Sequence, residues 1–201
     1  MSLRDQLKRE TATVHERVEA ELNVLRRDFS EADYRSLLAT FLGFYRPCED
    51  RLKAATAGTR YETLIAERLK SPALVADLQA AGYTSGEIRD LPEADELPRI
   101  ATIADVLGVM YVLEGSTLGG VVIARHLRQH FSWPASDSFR FFNVYGDQVS
   151  QRWTAFVQLL AEQASEDVAP RVCQAARYTF ECLEGWLQHS NTPKASDASH
   201  T

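Results

Sequence analysis

Strand signals are nearly absent from this 201-residue sequence, and that absence argues against a sandwich, a barrel or an α/β sheet and for an all-α class. Cysteine is scarce as well. Cys48, Cys173 and Cys182 are odd in number and lack metal-site spacing, so they read as reduced packing thiols of a cytoplasmic protein. No apolar run approaches the roughly 20 residues that span a bilayer. The N-terminus, Met1 to Glu10, alternates charge with leucine where a signal peptide would carry an apolar stretch. A membrane partner is therefore not expected. Basic residues are in deficit, 22 Lys and Arg against 28 Asp and Glu, and the net charge of −6 argues against a nucleic-acid partner.

What is present is helical periodicity between short Gly, Pro and Ser interruptions, with a 45% hydrophobic content that suits one buried core. Residues 1–189 are expected to form one domain and 190–201 a flexible polar tail. Ser2-Leu3-Arg4-Asp5 resembles a capping box and opens a helix carrying Leu3, Leu7, Val14, Val18 and Leu22. Ser30 to Asp33 and Thr102 to Asp105 give two more such starts. Pro47 allows a kink or a stop in the second helix. Residues 60–81 read as one helix, followed by an irregular connection marked by Gly82, Gly86, Pro92 and Pro98. The helix from Thr102 is expected to run to about Phe131 across a glycine-rich break. A loop over 133–142 and helices near 144–164 and 167–189 complete the chain.

Tyr111-Val-Leu-Glu-Gly115-Ser116-Thr117-Leu118-Gly119-Gly120 is the oddest segment, with three glycines within six positions. Each costs a helix about 1 kcal/mol relative to alanine. Two readings compensate: tight packing of two helices, or the close approach of a flat ligand to bare backbone. A phosphate loop does not fit, since the segment lacks a P-loop lysine and follows no strand. Ser116 and Thr117 add hydroxyls that can bond back to carbonyls or anchor water.

Among five histidines, His15 falls at the border of the first apolar stripe, as a half-buried ligand would. Glu19, four residues on, can engage the imidazole and fix its tautomer. Lys8 lies two turns earlier on nearly the same face, where a cation can meet a cofactor carboxylate. Taken singly, such a pair also occurs as surface chemistry. His126 and His130 have metal-pair spacing but sit among Arg125, Arg128 and Gln129, a solvated basic face. No His-Glu-x-x-His or Glu-x-x-His motif accompanies them.

Taken together, Leu7-Lys-Arg-Glu-Thr-Ala-Thr-Val-His15-Glu-Arg-Val-Glu19 and Tyr111 to Gly120 resemble the proximal and distal helices of the haem oxygenase family. The form of the second motif is closest to bacterial members associated with bacteriophytochromes. Phe141-Phe-Asn-Val-Tyr-Gly-Asp147, followed by Trp153 and Phe156, is similar to the same subgroup. The resemblance implies a helical bundle with haem between the first helix and a kinked distal helix. It implies His15 as the proximal iron ligand, Glu19 as its hydrogen-bonding partner, and Lys8 as a propionate contact. Tyr111 is placed among the haem-binding residues with Arg128, and Arg9 and Arg152 are further candidates for the propionates. Gly115, Gly119 and Gly120 would bring the distal backbone to the haem face, with Ser116 and Thr117 beside bound O2. The implied reaction yields biliverdin, carbon monoxide and ferrous iron, with electrons from an external reductase or ferredoxin-like donor and a bacteriophytochrome as a recipient of biliverdin. Mammalian-type enzymes carry an aspartate where this chain has Ser116, so the water network must be built differently. That departure keeps open a haem-binding protein of the same fold without turnover. A helical enzyme of the thiaminase type, which needs no iron, is the third possibility.

Overall fold

The computed structural model describes residues 2–131, 139–163, 165 and 167–191; the tail expected over 190–201 and the loop expected over 133–142 lie largely outside them. Among the described residues there is no strand, and one continuous hydrophobic core unites the helices. Helix α1 spans Leu3–Leu22 and buries Leu3, Leu7, Thr11, Val14 and Val18. The Ser2 hydroxyl accepts the Asp5 amide, while the Asp5 carboxylate takes the Ser2 hydroxyl, so this start is capped by the side chain alone. The reciprocal boxes expected at Ser30 and Thr102 are both complete.

Helix α2, Glu31–Thr56, passes through Pro47 without stopping. The proline lacks the N–H that would bond to the Gly43 carbonyl. That carbonyl instead accepts the Ala94 amide at 2.9 Å, and a Cβ on Gly43 would come within 2.4 Å of the Pro92 carbonyl oxygen. A strand-like visitor from the 92–94 segment thus replaces the missing helical bond.

The single helix expected over 60–81 is two: α3, Glu62–Ala66, and α4, Ser71–Ala80. The Glu49 carboxylate, from α2, caps α4 by accepting the amides of Lys70 and Ser71. Pro72 fits only the first turn of a helix, where its missing N–H has no helical partner to lose, so a new helix starts there and a corner forms at 67–70. The connection expected to be irregular contains a short α5, Ser85–Arg89, opened by a capping box at Thr84.

Helix α6, Ile103–His130, is uninterrupted. The expected glycine break is therefore not a break in the helix: none of Gly115, Gly119 and Gly120 takes a positive φ, and buried residues on both flanks hold the hydrogen-bonded backbone. By length and composition α6 could cross a bilayer, which a search for unbroken apolar runs does not register. Yet half of its residues are buried inside the protein, with Asp105 and Glu114 in ion pairs. A 3₁₀ turn at Gly146–Gln148 leads into α7, Val149–Glu162, and α8 spans Ala169–Asn191. Helices α1 and α6 both pack along α8, and α7 flanks both. The closest approach of α6 to α8 is at Gly108, where a Cβ would lie 2.5 Å from the Val172 carbonyl oxygen.

Candidate functional site

Burial raises the pKa of the Tyr111 phenol on α6, and the side chain of Thr11 on α1, within reach of it, opposes that rise. Thr11 is one turn before His15, and Tyr111 is one turn before Gly115, so this proximity brings the two sequence motifs together. The His15 imidazole is half exposed, with Nε2 3.5 Å from Glu19 Oε1 and its ring centroid 5.2 Å from that of Phe180 on α8. Glu19 and Lys8 are exposed along the same helix.

On α6, residues 115, 118, 119 and 122 share a face at helical spacing. A Cβ on Gly115 would meet the Trp153 ring at 3.8 Å, and nothing lies within 4 Å of the same point on Gly119. Leu118 and Val122 flank that bare backbone with 39% and 54% exposure, unusual for large apolar side chains of a core helix. Trp153 packs against Tyr111, with centroids 5.7 Å apart. Gly120 differs from its neighbour. Its missing side chain makes room for the protein's own backbone, the Phe142 carbonyl oxygen standing 2.7 Å from a Cβ there.

Ser116 donates to the Leu113 carbonyl at 2.9 Å and shares a 3.0 Å hydrogen bond with the Tyr45 hydroxyl, which leaves Tyr45 as the donor of that pair. Burial pushes the Tyr45 phenol far above its ordinary pKa, so it keeps its proton. Thr117 is buried and donates to the Glu114 carbonyl at 2.7 Å. Arg152 is committed elsewhere, to the Glu67 carbonyl and the face of Tyr145, whereas Arg128 is half-buried near the end of α6. His130 Nε2 bonds to the Phe29 carbonyl and the His126 ring stacks on His130. No cluster of three metal-ligating side chains occurs among the described residues.

A buried cluster behind this face was not foreseen. Glu114, 1% exposed, accepts from Arg68, from Lys70 Nζ at 2.5 Å and from the Tyr145 hydroxyl at 2.8 Å. Burial lowers the Lys70 pKa against the pull of Glu114, and raises that of Glu49, whose carboxylate caps the same corner. The four charges balance. A glutamate in an apolar run was the available signal, since an acid buried in a helix requires partners.

A half-exposed imidazole on α1 and, on α6, an exposed apolar strip with no side chains at its centre are features that suit a flat, largely apolar macrocycle that takes an axial nitrogen ligand. The all-helical bundle and these features define a haem-protein class. The chain belongs to the heme oxygenase family, which matches over residues 1–189. It is similar in structure to the heme oxygenase of Neisseria meningitidis, known in NO- and CO-bound forms, at 21% identity and a TM-score of 0.73, covering 94% of this chain and 92% of that one. The heme oxygenase of Leptospira interrogans is 15% identical with a TM-score of 0.75, covering 94% of this chain and 100% of that one. Heme oxygenase-1 of the cyanobacterium Synechocystis, solved in complex with heme, is also 15% identical, with a TM-score of 0.67 over 94% of this chain and 92% of that one. No curated protein matches the sequence at a significant level. Family and fold together support haem binding and haem degradation at the general level.

Proposed function

We propose that this protein opens haem to biliverdin, carbon monoxide and ferrous iron, using O2 and electrons from an external reductase or ferredoxin-like donor. What supports the reading is the bare, exposed Gly115–Gly119 face of α6, flanked by Leu118 and Val122, in a chain of the heme oxygenase family. His15 holds the haem through one imidazole nitrogen while Glu19 orients the ring through the other. Lys8 and Arg128 would hold the propionates. When bound, haem supplies the iron at which oxygen is activated, and its own meso carbon is the site of oxidation. Gly115 and Gly119 let backbone approach the ring closely, and Leu118 and Val122 cover its apolar edge against water. Ser116 Oγ, donating to the Leu113 carbonyl and accepting from the Tyr45 hydroxyl, would use its remaining lone pair to anchor a water beside the ligand. This pair stands where mammalian-type relatives use an aspartate. We further propose a cytoplasmic location and a bacteriophytochrome as recipient of biliverdin, on the likeness of the distal and Phe141–Asp147 motifs alone.

The test is titration with haem followed by an electron donor in air, comparing the native protein with His15→Ala. Loss of the Soret band with growth of a broad red band supports the enzyme. A stable Soret band with no pigment or carbon monoxide supports a binder without turnover. Undiminished low-spin haem binding by His15→Ala sinks the ligand assignment.

A further inference from the structure

We infer that Glu114 is a positioning residue: its buried clamp on Arg68, Lys70 and Tyr145 fixes the roll and height of α6, so that Gly115, Ser116 and Gly119 meet the ligand in one arrangement. The inference rests on the haem-site reading above. Glu114 is the last residue before the glycine-bearing turns, where α6 has the least side-chain packing to define it. Its carboxylate is held from three directions, by the two cations of the 67–70 corner and by the hydroxyl of Tyr145, just before the 3₁₀ turn. Both corner cations are further tied down: Lys70 Nζ to the Arg68 carbonyl at 2.9 Å, and the Arg68 guanidinium to the Arg152 carbonyl at 3.5 Å. The same turn is fixed further by Thr117 bonding back to the Glu114 carbonyl and by Ser116 meeting Tyr45. The clamp therefore acts on the helical turn that carries the first glycine of the exposed face.

Stability does not account for such a cluster. Apolar residues of similar volume commonly serve as well as a buried ion pair or better, and the best-attested use of such a pair is to select one packing among several. Asp105, the other buried acid of α6, pairs with an exposed Arg171 at the helix start and touches no part of the slot. Glu114 alone is placed to determine where the glycine face sits.

The test compares the native protein with the double variant Glu114→Leu/Lys70→Met, each loaded with haem and carbon monoxide, by infrared spectroscopy of the C–O stretch. The double variant removes one charge of each sign and leaves Arg68 to the Arg152 carbonyl. A clamp that selects one arrangement predicts a single narrow band in the native complex and two or more resolved bands in the variant. Haem affinity should stay within about threefold of native. Turnover should change from one predominant biliverdin isomer to a mixture. A folded variant that keeps the single native band overturns the inference, as does a native complex with the variant's multiplicity. If the double variant does not fold, Glu114→Gln is read in the same way: splitting supports the clamp, and a native band overturns it. A native protein that binds haem but forms no biliverdin refutes turnover and leaves the infrared comparison decisive for the clamp. A native protein that binds no haem overturns both.

Discussion

The carbonyl oxygen of Phe142 lies 2.7 Å from the point that a Cβ on Gly120 would occupy. The adjacent glycine has nothing within 4 Å of the equivalent point. Gly120→Ala must displace backbone, an overpacking that costs about 1–3 kcal/mol. Gly119→Ala should instead gain about 1 kcal/mol of helix propensity in the haem-free protein, a rise of roughly 2–4 °C in melting temperature. Its methyl would then stand in the slot and weaken haem binding. Calorimetry and haem titration check both; equal destabilisation, or undiminished haem affinity in Gly119→Ala, contradicts the two-sided geometry.

Removing one partner of the buried cluster should be far more damaging than removing a matched pair. Glu114→Leu leaves Arg68 and Lys70 buried beside each other without their shared carboxylate, at a cost of about 3–5 kcal/mol. Urea unfolding measures it, and a loss below about 1 kcal/mol would place the cluster in water, where exposed ion pairs contribute that little.

Asp105 gives a pH-dependent prediction. Burial opposes its charge, but the bidentate Arg171, the amides of Ala101 and Thr102 and the Thr102 hydroxyl outweigh it, and the pKa falls below the ordinary 3.8. A depressed carboxylate pKa adds stability above the unfolded value, and that stability is lost as pH falls through the folded one. Arg171→Ala should therefore cost most at neutral pH, and the gap between variant and native protein should shrink below about pH 4. A gap that stays constant from pH 7 to pH 3 refutes the assignment.

The three thiols should be inert in the folded protein. All are buried, and burial pushes Cys173 and Cys182 up to about 11 and Cys48 higher still. The thiolate is the reactive form. At pH 8, a thiol reagent should modify them slowly before unfolding and promptly in denaturant; a fast native phase would show that one of them is exposed.

What was legible in the sequence is what local chemistry decides. The capping boxes at Ser30 and Thr102 each close within four residues, so the starts of α2 and α6 could be read directly. The corner at 67–70 could not, because the carboxylate that caps α4 is Glu49, some twenty residues earlier. Pro47 is tolerated inside α2 because a distant amide, Ala94, takes the orphaned carbonyl. The pairing of His15 with the glycine segment was visible only through resemblance, since Thr11 and Tyr111 are a hundred residues apart. The three glycines looked like one feature. They divide instead into an open pair and one that receives the chain's own backbone at Phe142, whose neighbour Phe139 sits at a positive φ of 64°.

The Tyr111 side chain stands beside Thr11 of α1, one turn before the glycine face. A rigid α6 pivoting there behaves as a lever: Gly119, eight residues on, lies about 12 Å from the fulcrum at 1.5 Å per residue, so a tilt of about 5° moves it about 1 Å. Aperture in this protein is thus a matter of crossing angle rather than of side-chain size, and residues that touch no ligand can open or close it.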